Sequence, residues 1–157
     1  MKTALYVATV ARTYRKAIDD YLRDPALYRE NMPWYQAEIA KCTMREFTTG
    51  FYFDKPGTDA QIYENNTYIK NYTYLGTIEE VDQRGFGRIE QKNKFSAGET
   101  IEVMKPDGRN LTAAVRAIYT EDGEQQDSAP HPKQVLYLDL SEAVEPYDIL
   151  RREETQP

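Results

Sequence analysis

Thr100-Ile101-Glu102-Val103-Met104, then Lys105-Pro106-Asp107-Gly108-Arg109, then Leu111 to Tyr119, is the stretch whose reading decides the fold. Ile101 and Val103 recur at the two-residue period of a half-buried strand. Pro106-Asp107-Gly108 is turn chemistry: proline presets one dihedral, aspartate can bond its own backbone, and glycine accepts a positive φ. Leu111 to Tyr119 then reads as a returning strand, so the unit is a hairpin. The same grammar extends in both directions. Upstream, Tyr72 to Val81 is rich in β-branched and aromatic residues, and Asp82-Gln83-Arg84-Gly85 turns it into Phe86 to Gln91. Downstream, Glu121-Asp122-Gly123-Glu124 is another turn, Val135 to Leu140 alternates in part, and Ile149-Leu150 closes the set. About six short strands with turn chemistry between them predict a small antiparallel β-barrel.

Ahead of the strands the period changes to that of a helix. Tyr6, Val7, Val10, Tyr14, Ala17, Ile18 and Tyr21 recur at helical spacing over residues 4 to 22. Thr3 is placed to cap that helix, and Pro25 stops it or starts the next piece. A second short helix is predicted from Pro33 to about Lys41. Arg12, Arg15, Lys16, Asp19 and Asp20 read as a solvated polar face. Tyr14, Tyr21, Tyr28 and Tyr35 fall at intervals of seven, but Pro25 and Pro33 break any coiled coil, so the spacing reads as coincidence. The fold class is therefore mainly β with an N-terminal helical segment. Its expected divisions are a helical segment at 1–46, an aromatic-rich linker at 47–71, a barrel domain at 72–152 and a disordered tail at 153–157. The linker carries Phe47, Phe51, Tyr52, Phe53, Tyr63 and Tyr68, which predicts packing onto another surface rather than a solvated strap.

Composition narrows the functional classes. The chain has 157 residues, enough for one real core, and a net charge of −6. That charge argues against a surface that grips nucleic acid all over, while leaving room for a local basic strip. The 13 tyrosines add apolar surface that keeps a hydroxyl. Cys42 is the only cysteine, so no internal disulfide forms, which fits a cytoplasmic protein. No apolar run approaches the ~20 residues of a membrane span, and Arg12, Arg15 and Lys16 interrupt any signal-peptide core. The N-x-T triplets at Asn65, Asn71 and Asn110 read as chance.

Few residues offer chemistry. His131, the single histidine, is held between Pro130 and Pro132. It reads either as a general base or, with no serine or cysteine motif beside it, as part of a rigid loop. Cys42 lacks the companions a zinc or iron–sulfur site needs and reads as a packed side chain. Glu79-Glu80-Asp82 and Glu121-Asp122-Glu124-Asp127 sit at turns and strand edges and read as solvated surface, with no EF-hand spacing. One constellation stands out. If the second strand runs on, alternation puts Phe86, Arg88, Glu90, Lys92 and Lys94 on one face, with Ile89 and Phe95 inward. With Arg84 in the turn, the candidate contact set is Arg84, Phe86, Arg88, Lys92 and Lys94. Cations beside a ring suit RNA, phosphates on the charges and a base on the ring. A soluble strand surface and a face that docks another domain remain open for the same residues.

Longer phrases carry a resemblance. Met1-Lys2-Thr3-Ala4-Leu5-Tyr6-Val7-Ala8-Thr9-Val10, Tyr14-Arg15-Lys16-Ala17-Ile18-Asp19, Thr48-Thr49-Gly50-Phe51-Tyr52-Phe53, Glu90-Gln91-Lys92-Asn93-Lys94-Phe95 and Ala129-Pro130-His131-Pro132 occur in this order. Together they resemble the C-terminal part of the collagenase-like peptidase family U-32. Within the strands, Gly76-Thr77-Ile78, Phe95-Ser96-Ala97-Gly98-Glu99-Thr100-Ile101, Ala114-Val115-Arg116-Ala117-Ile118 and Glu145-Pro146-Tyr147-Asp148-Ile149-Leu150 resemble the second-domain β-barrel of translation elongation factors. The family resemblance implies that peptidase chemistry, or hydroxylation of tRNA uridine with an iron–sulfur cluster, belongs to an upstream catalytic domain. It implies that this chain holds no cofactor and no catalytic residue. Its expected partners are that domain, tRNA or a protein substrate, and a second copy of itself, with no membrane. The expected role is noncatalytic: positioning substrate, tRNA by preference. The alternatives are a module that presents substrate to a genuine peptidase and one that only stabilises a domain or dimer.

Overall fold

The computed structural model describes residues 2–42, 51–53, 55 and 71–154. Among these residues, three helices, α1 (Ala4–Arg23), α2 (Pro25–Glu30) and α3 (Met32–Ala40), precede seven strands. These are β1 (Tyr72–Val81), β2 (Gly87–Glu90), β3 (Thr100–Met104), β4 (Asn110–Thr120), β5 (Gln125–Gln126), β6 (Val135–Leu140) and β7 (Ile149–Glu153). The Thr3 hydroxyl caps α1 by accepting from the Tyr6 N–H at 3.2 Å. Most of the predicted linker lies outside the described residues, as do residues 155–157 of the predicted tail. Glu153, assigned to that tail, is the last residue of β7.

All pairings are antiparallel and run in the order β3-β7-β1-β2-β6-β4-β5, with β3 also paired to β4. That extra pairing closes six strands into a circuit, the topology of a small barrel, with β5 as a short flap on β4. Bulges at Tyr74/Gly76, Ile78/Glu80 and Val115/Ala117 bend the long strands β1 and β4. The first resets the alternation, so that Leu75 and Ile78 both point inward. They meet Ile89, Phe95, Ile101, Val103, Val115, Ile118, Leu136, Leu138 and Leu150 in one buried core. The predicted turns are present. Gly85, at φ 86°, and Gly98, at φ 85°, hold the left-handed geometry that disfavours a side chain.

The helices lie on the outside of this circuit. Leu5 of α1 packs with Met104 of β3 and Ile149 of β7, next to Ala8 and Tyr74. Around that contact is a buried charge network. Arg151 of β7 is fully buried, and its guanidinium donates to both carboxylate oxygens of Glu38 in α3, at 3.0 and 3.1 Å. It also donates to Glu102 of β3 at 2.5 Å. Glu38 accepts further bonds from Arg12, from Lys41 at 2.6 Å and from Asn110 at 2.9 Å. Arg12 donates to the Lys105 and Arg109 carbonyls at 3.0 and 3.2 Å.

This arrangement corrects two expectations. Arg12 and Asp20 are buried rather than part of a solvated face. Arg12 reaches the barrel, and Asp20 accepts from Tyr35 at 2.6 Å, Lys16 at 2.7 Å and Asn31 at 2.9 Å. Conversely, Val7, Tyr14, Ile18, Tyr21 and Leu22 of the same helix are exposed. Three of the four tyrosines spaced at seven also meet one another. The helix breaks at Asp24 and Asn31 fold the chain so that Tyr21 meets Tyr28 edge-on at 5.6 Å, and Tyr28 stacks on Tyr35 at 5.8 Å.

Candidate nucleic-acid interface

β2 carries the residues singled out from the sequence, and its two ends have different chemistry. At the β1–β2 turn, the Asp82 carboxylate accepts from the backbone N–H groups of Arg84 and Phe86, each at 2.9 Å, and from the Arg84 Nε at 2.8 Å. Burial alone would raise the Asp82 pKa. The two N–H groups and the guanidinium outweigh it and hold the carboxyl below its usual value. This turn lays the Arg84 guanidinium 4.5 Å from the centre of the Phe86 ring and 5.8 Å from that of Tyr119. The two rings stack at 5.4 Å with an interplanar angle of 10°. The Arg84 side chain is 55% exposed, so the stack faces water with a flat cation on it. Tyr119 belongs to β4 and was missed in the sequence, because β4 comes level with β2 only through β6, which pairs with both and places Tyr137 between Arg88 and Tyr119.

Arg88 is surrounded by carboxylates. It pairs with Glu79 and lies 3.6 Å from both Glu80 and Glu121. Partial burial would lower its pKa, and the carboxylates raise it instead. Parts of the two acidic clusters thus converge on one arginine, which ties β1, β2 and the β4–β5 turn together. Among the described residues, no group of three or more His, Cys, Asp and Glu side chains is placed to hold a metal ion.

β2 ends at Glu90, short of the length its predicted face required. Gln91 turns inward, is buried, and donates through its carboxamide to the Ala129 carbonyl at 2.8 Å. Alternation stops there, so Lys92, Asn93 and Lys94 are all exposed while Phe95 returns to the core. Lys92 pairs with Glu90; their hydrogen bond raises the Lys92 pKa and lowers that of Glu90. The five predicted residues are therefore divided. Arg84 and Phe86 form the stack, Arg88 is neutralised between them and Lys92, and Lys92 and Lys94 stand on a loop at the far end.

The other candidates settle simply. Cys42 is buried with its thiol 4.0 Å from the Tyr6 carbonyl, and burial pushes its pKa up, away from a reactive thiolate. His131 is exposed, and its carbonyl accepts from the Gln134 N–H at 3.2 Å. The Asn110 carboxamide is bonded to Glu38 and Arg12 inside the charge network. No described helix is long and apolar enough to cross a membrane.

Comparison with known proteins adds the following. The family model described as "Peptidase family U32 C-terminal domain" matches residues 70–151, and that of "Peptidase family U32" matches residues 1–62. The chain is 31% identical over 153 residues to "tRNA hydroxylation protein P1" of Bacillus subtilis, covering 97% of this chain and 36% of that protein. It is 26% identical over 145 residues to "tRNA hydroxylation protein P" of Escherichia coli, covering 92% of this chain and 31% of that one. The chain thus spans about a third of the length of the curated relatives it matches. The crystal structure of the C-terminal domain of a Geobacillus thermoleovorans protein assigned to the U32 peptidases is 29% identical, covering 52% of this chain and 92% of that domain, with a TM-score of 0.47.

Proposed function

The chain belongs to peptidase family U32, and we propose that it acts without chemistry of its own, holding a segment of tRNA for a catalytic domain. The observation that carries this reading is the surface stack of Arg84, Phe86 and Tyr119. A guanidinium over parallel rings offers a base a flat, cationic, sequence-tolerant partner, worth about 1–3 kcal/mol per stacked base. The names of the curated relatives supply the substrate class. Lys92 and Lys94, exposed beyond the end of β2, lie where an RNA backbone leaving the stack would meet positive charge. Arg88, held by three carboxylates, serves as framework rather than contact.

Binding of bulk tRNA to the chain, measured by gel shift over a range of salt, tests this. Affinity is expected to fall steeply with salt, and Phe86→Ala to weaken it about tenfold. Arg88→Gln should cost stability more than affinity. Equal binding by the native chain and Phe86→Ala would remove the stack from the interface. Hydrolysis of gelatin by the purified chain would overturn the noncatalytic role and favour a peptidase.

A further inference from the structure

Two loops face each other at the far end of β2, and their geometry is fixed at both ends. On one side, the Gln91 N–H donates to the Gln134 carbonyl at 2.8 Å and the Lys133 N–H donates to the Gln91 carbonyl at 2.9 Å. On the other, the Ala129 N–H donates to the Phe95 carbonyl at 2.8 Å. Between these clasps, residues 92–94 and 130–133 bulge out opposite each other, every one of them exposed. The floor is rigid: Gln91, Phe95 and Ala129 are buried, and the Gln91 carboxamide pins Ala129 from below. Pro130 and Pro132 stiffen the second loop, and Asn93 ties the first to the Tyr74 carbonyl at 2.7 Å.

The loops gather positive charge. Lys92, Lys94 and Lys133 all stand here, beside His131. Glu90 is the carboxylate whose field reaches Lys133, and it is already bonded to Lys92. Lys94 and Lys133 form no ion pair among the described residues. Among the described residues, Lys133 is also one of two non-glycine residues held at positive φ, at 65°. Such backbone is costly for a lysine and persists where the surrounding bonds over-determine it. In sequence, Lys94 and Lys133 are far apart, and the β2–β6 pairing, with Glu90 opposite Val135, brings their loops together along with the clasps on either side.

We propose that these facing loops form a clamp for the phosphates of the RNA backbone, with Lys94 and Lys133 as its two jaws. The clamp rests on the tRNA reading above and extends it. The stack at one end of β2 takes a base, and the loops at the other end take the backbone, so the bound strand runs along β2. Loops whose backbone is already held lose little entropy on binding, which favours them over flexible ones. Neutralising a phosphate releases condensed counterions, so each jaw should be visible in the salt dependence.

The test is gel-shift titration of bulk tRNA with the chain at several salt concentrations. It compares the native sequence with Lys94→Glu/Lys133→Glu, Lys94→Gln/Lys133→Gln and Phe86→Ala. The charge-reversed pair should bind at least about tenfold more weakly, and its salt slope should fall by about one to two. The glutamine pair should lie between it and the native chain, and Phe86→Ala should lose affinity with its slope unchanged. Circular dichroism and melting should show all variants folded, since both jaws point into water. If the charge-reversed pair binds within about twofold of the native chain at the same slope, while Phe86→Ala is weak, the clamp is wrong and the RNA reading survives. If the native chain fails to bind tRNA even at low salt, the RNA reading falls and the clamp with it.

Discussion

Glu38 shows how one side chain can fasten two parts of a molecule. Its burial alone would raise its pKa, but Lys41, Arg151 and Arg12 outweigh that and hold the carboxyl below its usual value. A carboxyl that loses its proton more readily when folded contributes stability above its unfolded pKa, and loses that contribution as pH falls through the lower folded value. Asp20 behaves in the same way. Burial would raise it, and Lys16, Tyr35 and Asn31 lower it. Urea melts between pH 6 and pH 3 should therefore show stability falling with acid, and the fall should be shallower in Glu38→Gln. At neutral pH that variant leaves buried guanidinium groups short of a counter-charge and should cost about 3–5 kcal/mol. None of this was legible in the sequence. Glu38 lies far along the chain from Arg12 and farther from Arg151, and a helical period says which residues share a face but not what covers it. Tyr147, at φ 76° and 78% exposed, makes the opposite prediction. Tyr147→Gly should relieve the left-handed strain and raise stability by about 0.5–1 kcal/mol in a thermal melt.

Among the elements, the strands that the sequence revealed are those with enough length to show a period. β1, β3 and β6 run over the expected residues, since alternation and flanking turn residues agree there. β5 was missed because two glutamines carry no period at all. β2 was read too long for a reason that matters to function. Glu90, Gln91, Lys92, Asn93 and Lys94 look like one polar run, and only the Ala129 carbonyl, from a distant loop, explains why Gln91 leaves the surface. Gln91→Leu should keep the core filled yet free the 130–133 loop. Hydrogen exchange should then quicken at the Ala129 and Lys133 amides while the β3–β4 amides stay protected. The candidate site was thus half visible: its residue types were in the sequence, but its division into a stack and a pair of loops was not.

For the molecule as a whole, the helices and the strand circuit are joined by charges instead of a broad oily seam. Arg151→Ala would strip the buried Glu38 and the partly exposed Glu102 of a shared partner, and the three helices should then become sensitive to protease before the strands do. The arginine sits on β7, which comes last in sequence but lies between β3 and β1 in space. During synthesis, β1 therefore waits with one flank bare until the ribosome has delivered nearly every other strand. Nascent chains stalled before residue 149 should be bound by chaperones and digested readily, and release of the last strand should end both at once.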